Sequence, residues 1–471
     1  MTQAIRSSRS EVQRPLASTS PPLLLTNVRL PGYLGRKRLW VSPQGIVEAI
    51  EAMDQACERL PEPGLQVIDL GDRWLSLGGV DLQINGALGL AFTDLNAANG
   101  DRLGEICKYL WQEGIDAFLP TLVTSAPAQI QQALAVIEDY CQRPSEAETA
   151  KILGVHLEGP CLAPAKCGAH PPEYLQPLTP ETMAEILGDR GHMVKMVTLA
   201  PELDPSGEVI RALCDRNIAV SLGHSQATAA EAQRAFDQGA TLVTHAFNAM
   251  PGLHHREPGL LGAALTQPQP ADPASPAKST VRCGFIADGQ HISPTMLALL
   301  WRLGGRDRLF LVSDALAPLG LPDGTYPWDR RQITVTEGTA RLADGTLSGT
   351  TRSLLVGVKN LAEWGICSVE AAIDLAVSAP RQAIGDRSDY PSQRPSLHSS
   401  LNSRLNSRLN ASQHPSQYPS QYPSQYPAQR QAPQYVGQSL YHLLQWTWDE
   451  AAGSLAWKRF APLPSWVEMG R

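Results

Sequence analysis

From about Leu75 onward the chain alternates short, apolar, β-rich runs with segments of helical periodicity, and this alternation limits the fold more than any other feature. It marks βα units, and so a parallel sheet covered by helices. Eight runs can be counted: Gly79–Ile84, Asp116–Leu122, Ile152–His156, Met193–Leu199, Ile218–Leu222, Leu242–His245, Val281–Ala287 and Leu309–Val312. Helix-length segments separate most of them (Asp101–Gly114, Ala126–Cys141, Pro180–Leu187, Gly207–Asp215, Ala227–Gln238 and Ser293–Leu303), and Leu354–Glu363 and Val369–Ile384 follow the last. Eight strands so spaced are what a closed (β/α)8 barrel requires. An open dinucleotide-binding sheet would carry G-x-G-x-x-G after its first strand, and no such turn follows Ile84.

The flanks read differently. Between Leu23 and Ile68, the segments LLLTNVRL, RLWVSP, GIVEAI and LQVIDL are strand-like and separated by Gly and Pro, which predicts a small β module over 23–74. The barrel is expected over 75–385. Residues 386–434 degenerate into tandem LNSR and SQYP units, too poor in aliphatic residues to offset their ordering entropy, so disorder is expected there. The closing stretch LLQWTWDEAAGSLAWKRF alternates around a Gly-containing turn and predicts a β-hairpin within 435–471 that completes the N-terminal module. Residues 1–22, rich in Ser, Arg and Pro, have no apolar stretch of a secretory signal and read as a disordered leader. The Pro/Ala-rich stretch Gln267–Ser279 reads as a flexible insertion between the sixth and seventh strands. The fold class is therefore α/β: a TIM-like barrel with a small β-sandwich module built from both chain ends.

Composition excludes several functions. A formal charge of −7 lacks the basic footprint of a nucleic-acid binder. No apolar run approaches the roughly 20 residues of a membrane span. The eight cysteines (Cys57, Cys107, Cys141, Cys161, Cys167, Cys214, Cys283 and Cys367) form no C-x-x-C pair, which suits reduced thiols in a cytoplasmic enzyme.

Barrel enzymes carry their catalytic groups at the carboxyl ends of strands. The polar residues there are Gln83 and Asn85 at the end of the first run, His156 and Glu158 at the end of the third, His224 and Ser225 after the fifth, Thr244 and His245 at the end of the sixth, and Ser313 and Asp314 after the eighth. A single strand-end His is ordinarily a hydrogen-bonded structural residue. Glu158, His224 and His245 at three counted strand ends instead form a His2Glu set, a known zinc arrangement that leaves one position open to water. Such an ion lowers the pKa of water and polarises a carbonyl. Asp314 is then placed to take a proton from that water and hand it to a leaving amine.

The stretches VDLQINGALG, GVHLEGP, GHSQAT, VTHAFNAMPGLHHREPG, IADGQHIS, LVSDALAP, TLSGT and SAPRQAIG occur in this order from Val80 to Gly385. Together they resemble the N-acetylglucosamine-6-phosphate deacetylase family of the amidohydrolase superfamily. The resemblance implies an amidohydrolase-type barrel that removes acetate from an amino-sugar phosphate. It implies that Glu158, His224 and His245 bind one divalent ion per chain, zinc, that Asp314 is the catalytic acid/base, and that His170 lies beside the scissile amide. Ala169, His170, Asn248, Ala249, Arg256, Asp288, Gly289, Gln290, His291, Leu347, Ser348 and Gly349 are implied contacts to sugar and phosphate. Arg256 suits a phosphate, since a guanidinium fork matches its oxygens bidentately. A homodimer with the phosphate site completed across its interface is implied too. The galactosamine epimer as substrate, and a non-catalytic sugar-phosphate-binding barrel, stay open as alternatives.

The sequence departs from the family pattern in places. Gln83-x-Asn85 stands where the superfamily has H-x-H, which implies that a second metal site is absent. Leu77 replaces a usual Pro, and the family's run after the A-I-G of residues 383–385 gives way to the repeat tract. His254, His255, Cys161 and Cys167 read as bland.

Overall fold

The computed structural model describes residues 21–56, 59, 63–144, 146–267, 280–385 and 435–460. The expectations for residues 1–20, 268–279 and 386–434 lie outside the described residues. The chain opens with β1 (Leu23–Val28), β2 (Lys37–Val41), β3 (Val47–Ala52) and β4 (Gln66–Asp69), in the sheet order β3-β2-β1-β4. Next, β5 (Trp74–Ser76) leads into the barrel.

Its eight parallel strands begin with β6 (Gly79–Ile84), followed by a two-residue hairpin at the barrel mouth, β7 (Gly86–Ala87) and β8 (Leu90–Ala91). After α1 (Arg102–Gln112) come β9 (Ile115–Val123), α2 (Pro127–Cys141), and a third strand split into β10 (Lys151–Ile152) and β11 (Val155–Glu158). The split falls at Gly154, whose φ is 141°; a Cβ there would lie 2.2 Å from Lys195 Cγ, so only Gly permits this close approach. The rest follows as α3 (Pro180–Leu187), β12 (Val194–Leu199), α4 (Glu208–Asp215), β13 (Ala219–Leu222), α5 (Ala229–Asp237), β14 (Leu242–Val243), α6 (Gly259–Leu265), β15 (Arg282–Phe285), α7 (Pro294–Gly304) and β16 (Leu309–Leu311). The barrel strands pair in sequence, β6 on β9 and onward to β16. Backbone bonds from Asp314 N to Gln83 O (2.8 Å) and from Asn85 N to Ala315 O (2.7 Å) close the ring between β16 and β6.

The period-2 pattern of the strands sorts their side chains into two layers. Val80, Leu82, Ala117, Leu119, Met196, Leu242, Ile286, Phe310 and Val312 cluster together, joined by Ala379 and Ala383 of α9 (Val369–Ala383). The alternate residues, among them Phe118, Leu157, Val197, Val220, Val243, Phe285 and Leu311, belong to a larger core shared with the helices, including α8 (Leu354–Glu363). Helix starts follow local chemistry: α2, α3 and α7 begin with Pro, and Thr228 and Glu231 form a reciprocal capping box at α5.

One element has no counterpart among the expectations. Between Asp314 and α8 an antiparallel meander appears, β17 (Gly324–Trp328), β18 (Arg331–Thr336), β19 (Thr339–Leu342) and β20 (Leu347–Thr350). Finally β21 (Leu444–Asp449) and β22 (Ser454–Arg459) form the expected hairpin, and β21 pairs with β5, so both chain ends contribute to the small β module. Trp446 donates from its indole to Ser76 Oγ (2.8 Å), burying the largest side chain of that joint. Among the described residues no helix is long and apolar enough to cross a membrane.

Candidate active site

The carboxyl ends of the barrel strands open into one cavity of about 570 Å³ whose wall includes Glu158, His170, His224, His245 and Asp314. Three of these residues occupy the left-handed region of the backbone: φ is 46° at His224, 27° at His245 and 53° at Asp314. Each stands where a strand has just ended, and the reversal turns its side chain to the mouth. Non-glycine residues adopt such angles at a cost of about 1–2 kcal/mol each.

Four of the five groups converge. His245 Nε2 lies 3.1 Å from Glu158 Oε1 and 3.0 Å from His224 Nε2, which is itself 3.3 Å from Glu158 Oε1. Donor atoms of Glu158, His170 and His224 also lie within 4.8 Å of one another, with His170 Nε2 4.0 Å from Glu158 Oε2. Two sets of three therefore overlap. The shorter distances belong to the set with His245, and we regard that one as the tighter site.

The donor set fits a cation. His224 Nδ1 sits 2.8 Å from Lys166 O, which fixes the proton on Nδ1 and leaves the Nε2 lone pair facing Glu158 and His245. Lone pairs and a carboxylate crowded at about 3 Å repel one another unless a positive charge lies between them. His245 Nδ1 is buried and unpartnered, consistent with a ring oriented by its other nitrogen.

Electrostatics sort the groups further. Without an ion, burial would raise the Glu158 carboxyl, but hydrogen bonds that the Nε2 atoms of His224 and His245 donate in that state outweigh it and hold the group well below the usual carboxylate range. Asp314 moves the other way, to about 6, through burial and then the charge of Glu158. Burial also drives His170 down to about 3, with His224 adding to the effect, so its ring is neutral. Burial lowers His245 in turn, yet its bond to Glu158 and the charges of Glu158 and Asp314 leave it raised overall.

Side chains at the ends of β6 and β9 hold these groups in place. Gln83 Nε2 donates to Glu158 Oε1 (2.9 Å) and to Asp314 Oδ1 (3.2 Å), and Asn85 Nδ2 donates to Asp314 Oδ1 (2.8 Å). Thr124 Oγ1 lies 2.8 Å from His170 Nδ1. Gly159, at φ 81°, lets the chain turn directly after Glu158; a Cβ there would meet Thr124 Oγ1 at 2.3 Å.

The remaining residues singled out from sequence divide. Ala169, Asn248, Ala249, His291, Leu347 and Ser348 line the cavity. Asp288 does not, but accepts hydrogen bonds from the Gln290 and His291 backbones (2.9 Å each) and lies 2.7 Å from His291 Nδ1, so it aims the imidazole that does. Gly289, Gln290 and Gly349 stand off the cavity wall. Arg256 is exposed on a loop outside it, while its neighbour Glu257 accepts from the backbones of Ala229 and Gly259. Cys161 is buried, its thiol pushed up to about 12 by burial and so inert.

Sequence reasoning missed two contributors. Thr124 and Ser125 follow closely on the second run, and their hydroxyls at a strand end are the signal that marks them. The meander brings Trp328, Asp329 and Arg330 into the cavity wall, and no motif marked them.

No family model matches the chain. Individual relatives do. The N-acetylglucosamine-6-phosphate deacetylase of Rattus norvegicus is 37% identical over 374 residues, covering 78% of this chain and 88% of that protein. An N-acetylgalactosamine-6-phosphate deacetylase of Escherichia coli O157:H7 is 32% identical over 354 residues, 75% and 86% of the two chains. Among solved structures, the N-acetylglucosamine-6-phosphate deacetylase of Pasteurella multocida matches with a TM-score of 0.64 at 29% identity, over 78% of this chain and 91% of that one. A mutant of the Mycobacterium smegmatis enzyme, in complex with N-acetyl-D-glucosamine-6-phosphate, matches with a TM-score of 0.65 at 26% identity and the same coverage. With identity of this order running through nearly the whole of its relatives, the chain belongs to the N-acetylglucosamine-6-phosphate deacetylase family.

Proposed function

We propose that this protein hydrolyses the acetamide of N-acetyl-D-glucosamine 6-phosphate to D-glucosamine 6-phosphate and acetate. The observation that carries the reading is the convergence of Glu158, His224 and His245 within 3.0–3.3 Å, in one cavity with Asp314. Those three residues hold one divalent ion, which we infer to be zinc from the two imidazoles and one carboxylate. When bound, such an ion supplies Lewis acidity toward the amide carbonyl and makes water a competent nucleophile near neutral pH.

The remaining work falls to the chain. Asp314, ionised above about pH 6, takes a proton from the attacking water and returns it to the amine as the C–N bond breaks. Gln83 and Asn85 fix the carboxylate that does so. Neutral His170, held through Nδ1 by Thr124, faces the amide with Nε2 and positions its carbonyl. Asn248, Ala249 and His291 contact the sugar phosphate from the cavity wall. Arg256, exposed outside it, serves as the phosphate clamp in a homodimer whose interface completes the site. We place the enzyme in the cytoplasm, in keeping with the free thiols of the seven described cysteines.

The galactosamine alternative is not favoured: the relative named for N-acetylglucosamine 6-phosphate is the more similar of the two. A non-catalytic barrel has no use for a metal-ligating set and a carboxylate raised toward neutrality in the same cavity. Acetate release from N-acetylglucosamine 6-phosphate, with and without a chelator, tests the reading. Chelator-sensitive release is expected; no release by metal-loaded protein overturns it.

A further inference from the structure

His224 leaves β13 with φ at 46°, and that reversal aims its imidazole at Glu158 and His245. The loop after β11 grips it twice: its ring Nδ1 lies 2.8 Å from Lys166 O, and its carbonyl accepts from Ala163 N (2.9 Å). A third grip comes from the loop of the strand paired with β13. After β12 a short helical turn, Pro201–Leu203, presents Glu202 to the two residues that follow His224. One carboxylate oxygen of Glu202 accepts from Ser225 Oγ (2.7 Å) and the other from Gln226 N (2.6 Å). Ser225 is fully buried, and its Oγ also accepts from Ala227 N (2.9 Å). The turn behind His224 is therefore closed around a single carboxylate.

A non-glycine residue stays in the left-handed region only where its surroundings over-determine it. Hydrogen bonds to a carboxylate are roughly twice as strong as neutral ones, so the pair from Glu202 restrains this turn more than the backbone bonds near it. Glu202 is absent from the wall of the cavity and has no route to the substrate except through His224. We propose that Glu202 is a positioning residue for His224: by holding Ser225 and Gln226 it keeps the reversal that aims the imidazole, and so sets how tightly the site holds its ion. The proposal rests on the reading above of His224 as a metal ligand.

The zinc Kd of the full chain, measured on metal-stripped protein by competition with a chromophoric chelator, tests this. Glu202→Ala should raise that Kd roughly 10–100-fold, the range that partners of metal ligands carry. Glu202→Gln, which keeps one acceptor oxygen for the two donors, should lie between Ala and wild type. Thr179→Ala is the control for general loosening, since it removes the Thr179 Oγ1 cap on Thr182 N at α3, far from the turn in sequence. It should lower Tm yet leave the zinc Kd within about twofold, as for an independent site. A Glu202→Ala protein that melts lower but holds zinc as wild type does overturns the proposal. So does a loss of affinity that Thr179→Ala matches. If Glu202→Ala does not fold, the Gln variant decides, and an unchanged Kd in it overturns the proposal. His224→Ala with wild-type zinc affinity would instead remove the ligand assignment itself, and this proposal with it.

Discussion

Replacing Asp314 by Asn separates the chemistry of this residue from its cost to the fold. The side chain keeps its shape, and its Oδ1 still accepts from Gln83 and Asn85, so the site geometry should persist. What disappears is the proton carrier. Proton transfer by a positioned side chain contributes about 10²–10⁴-fold, or about 3–5 kcal/mol of barrier, and kcat should fall by that factor while product binding and metal content hold. Stability should move the opposite way. In the metal-free protein the Asp314 carboxyl is raised from 3.8 to about 6, by burial and then by Glu158. A raised carboxyl favours folding below its unfolded pKa and loses that contribution as pH climbs through the folded value. The ionised group therefore destabilises the wild-type apoprotein by up to about 3 kcal/mol at pH 8, and not at all below about pH 4. The apo variant should accordingly be the more stable at pH 8 and lose its advantage as pH falls from 6 to 4. Denaturant unfolding of chelated proteins at both pH values, beside acetate-release kinetics, measures both effects. A variant retaining more than about a tenth of wild-type kcat would show that another residue carries the proton. No stability gain at pH 8 would refute the electrostatic account.

Elemental analysis of active protein should find one ion per chain, because Gln83 and Asn85 spend their amide donors on Glu158 and Asp314; two tightly bound ions would overturn the single site. Arg256→Ala should raise KM sharply for the phosphorylated sugar and hardly affect the unphosphorylated one, since a bidentate guanidinium–phosphate pair is roughly twice as strong as a neutral hydrogen bond; equal losses on both would make Arg256 structural. Deleting Tyr390–Gln434 should leave turnover nearly unchanged, because loop-closure entropy varies only slowly with length; a folded but inactive deletion variant would tie the tract to the site.

The barrel was legible because its strands announce themselves one at a time. A run such as LFLVSD is apolar until it ends, and the first polar residues after it reach the mouth. This logic singles out Glu158, His224, His245 and Asp314, which line one cavity in the structure, without any contact information. It failed where a signal is spread thin. The meander buries Ile333 and Val335 but exposes Gln332, Thr334 and Thr336, so its core is only a few side chains deep and gives no apolar run to count. Its turns were nevertheless written out, as Glu337-Gly338 and Asp344-Gly345 between alternating residues. In the sequence Gln83 and Asn85 read only as substitutes for imidazole ligands, whereas in the structure they hold two carboxylates in place. That role depends on distances between β6, β11 and β16, which no local pattern encodes.

The left-handed backbone at His224, His245 and Asp314 bears on how this enzyme can be engineered. Glycine adopts those angles without the strain that a Cβ brings to the residues present. The scaffold would therefore rest more easily with its chemistry removed. A variant library sorted for heat resistance alone would be drawn toward Gly at these three positions, gaining melting temperature as it lost turnover. Only a screen that demands product at every round keeps histidine and aspartate where the polypeptide itself would not have chosen them.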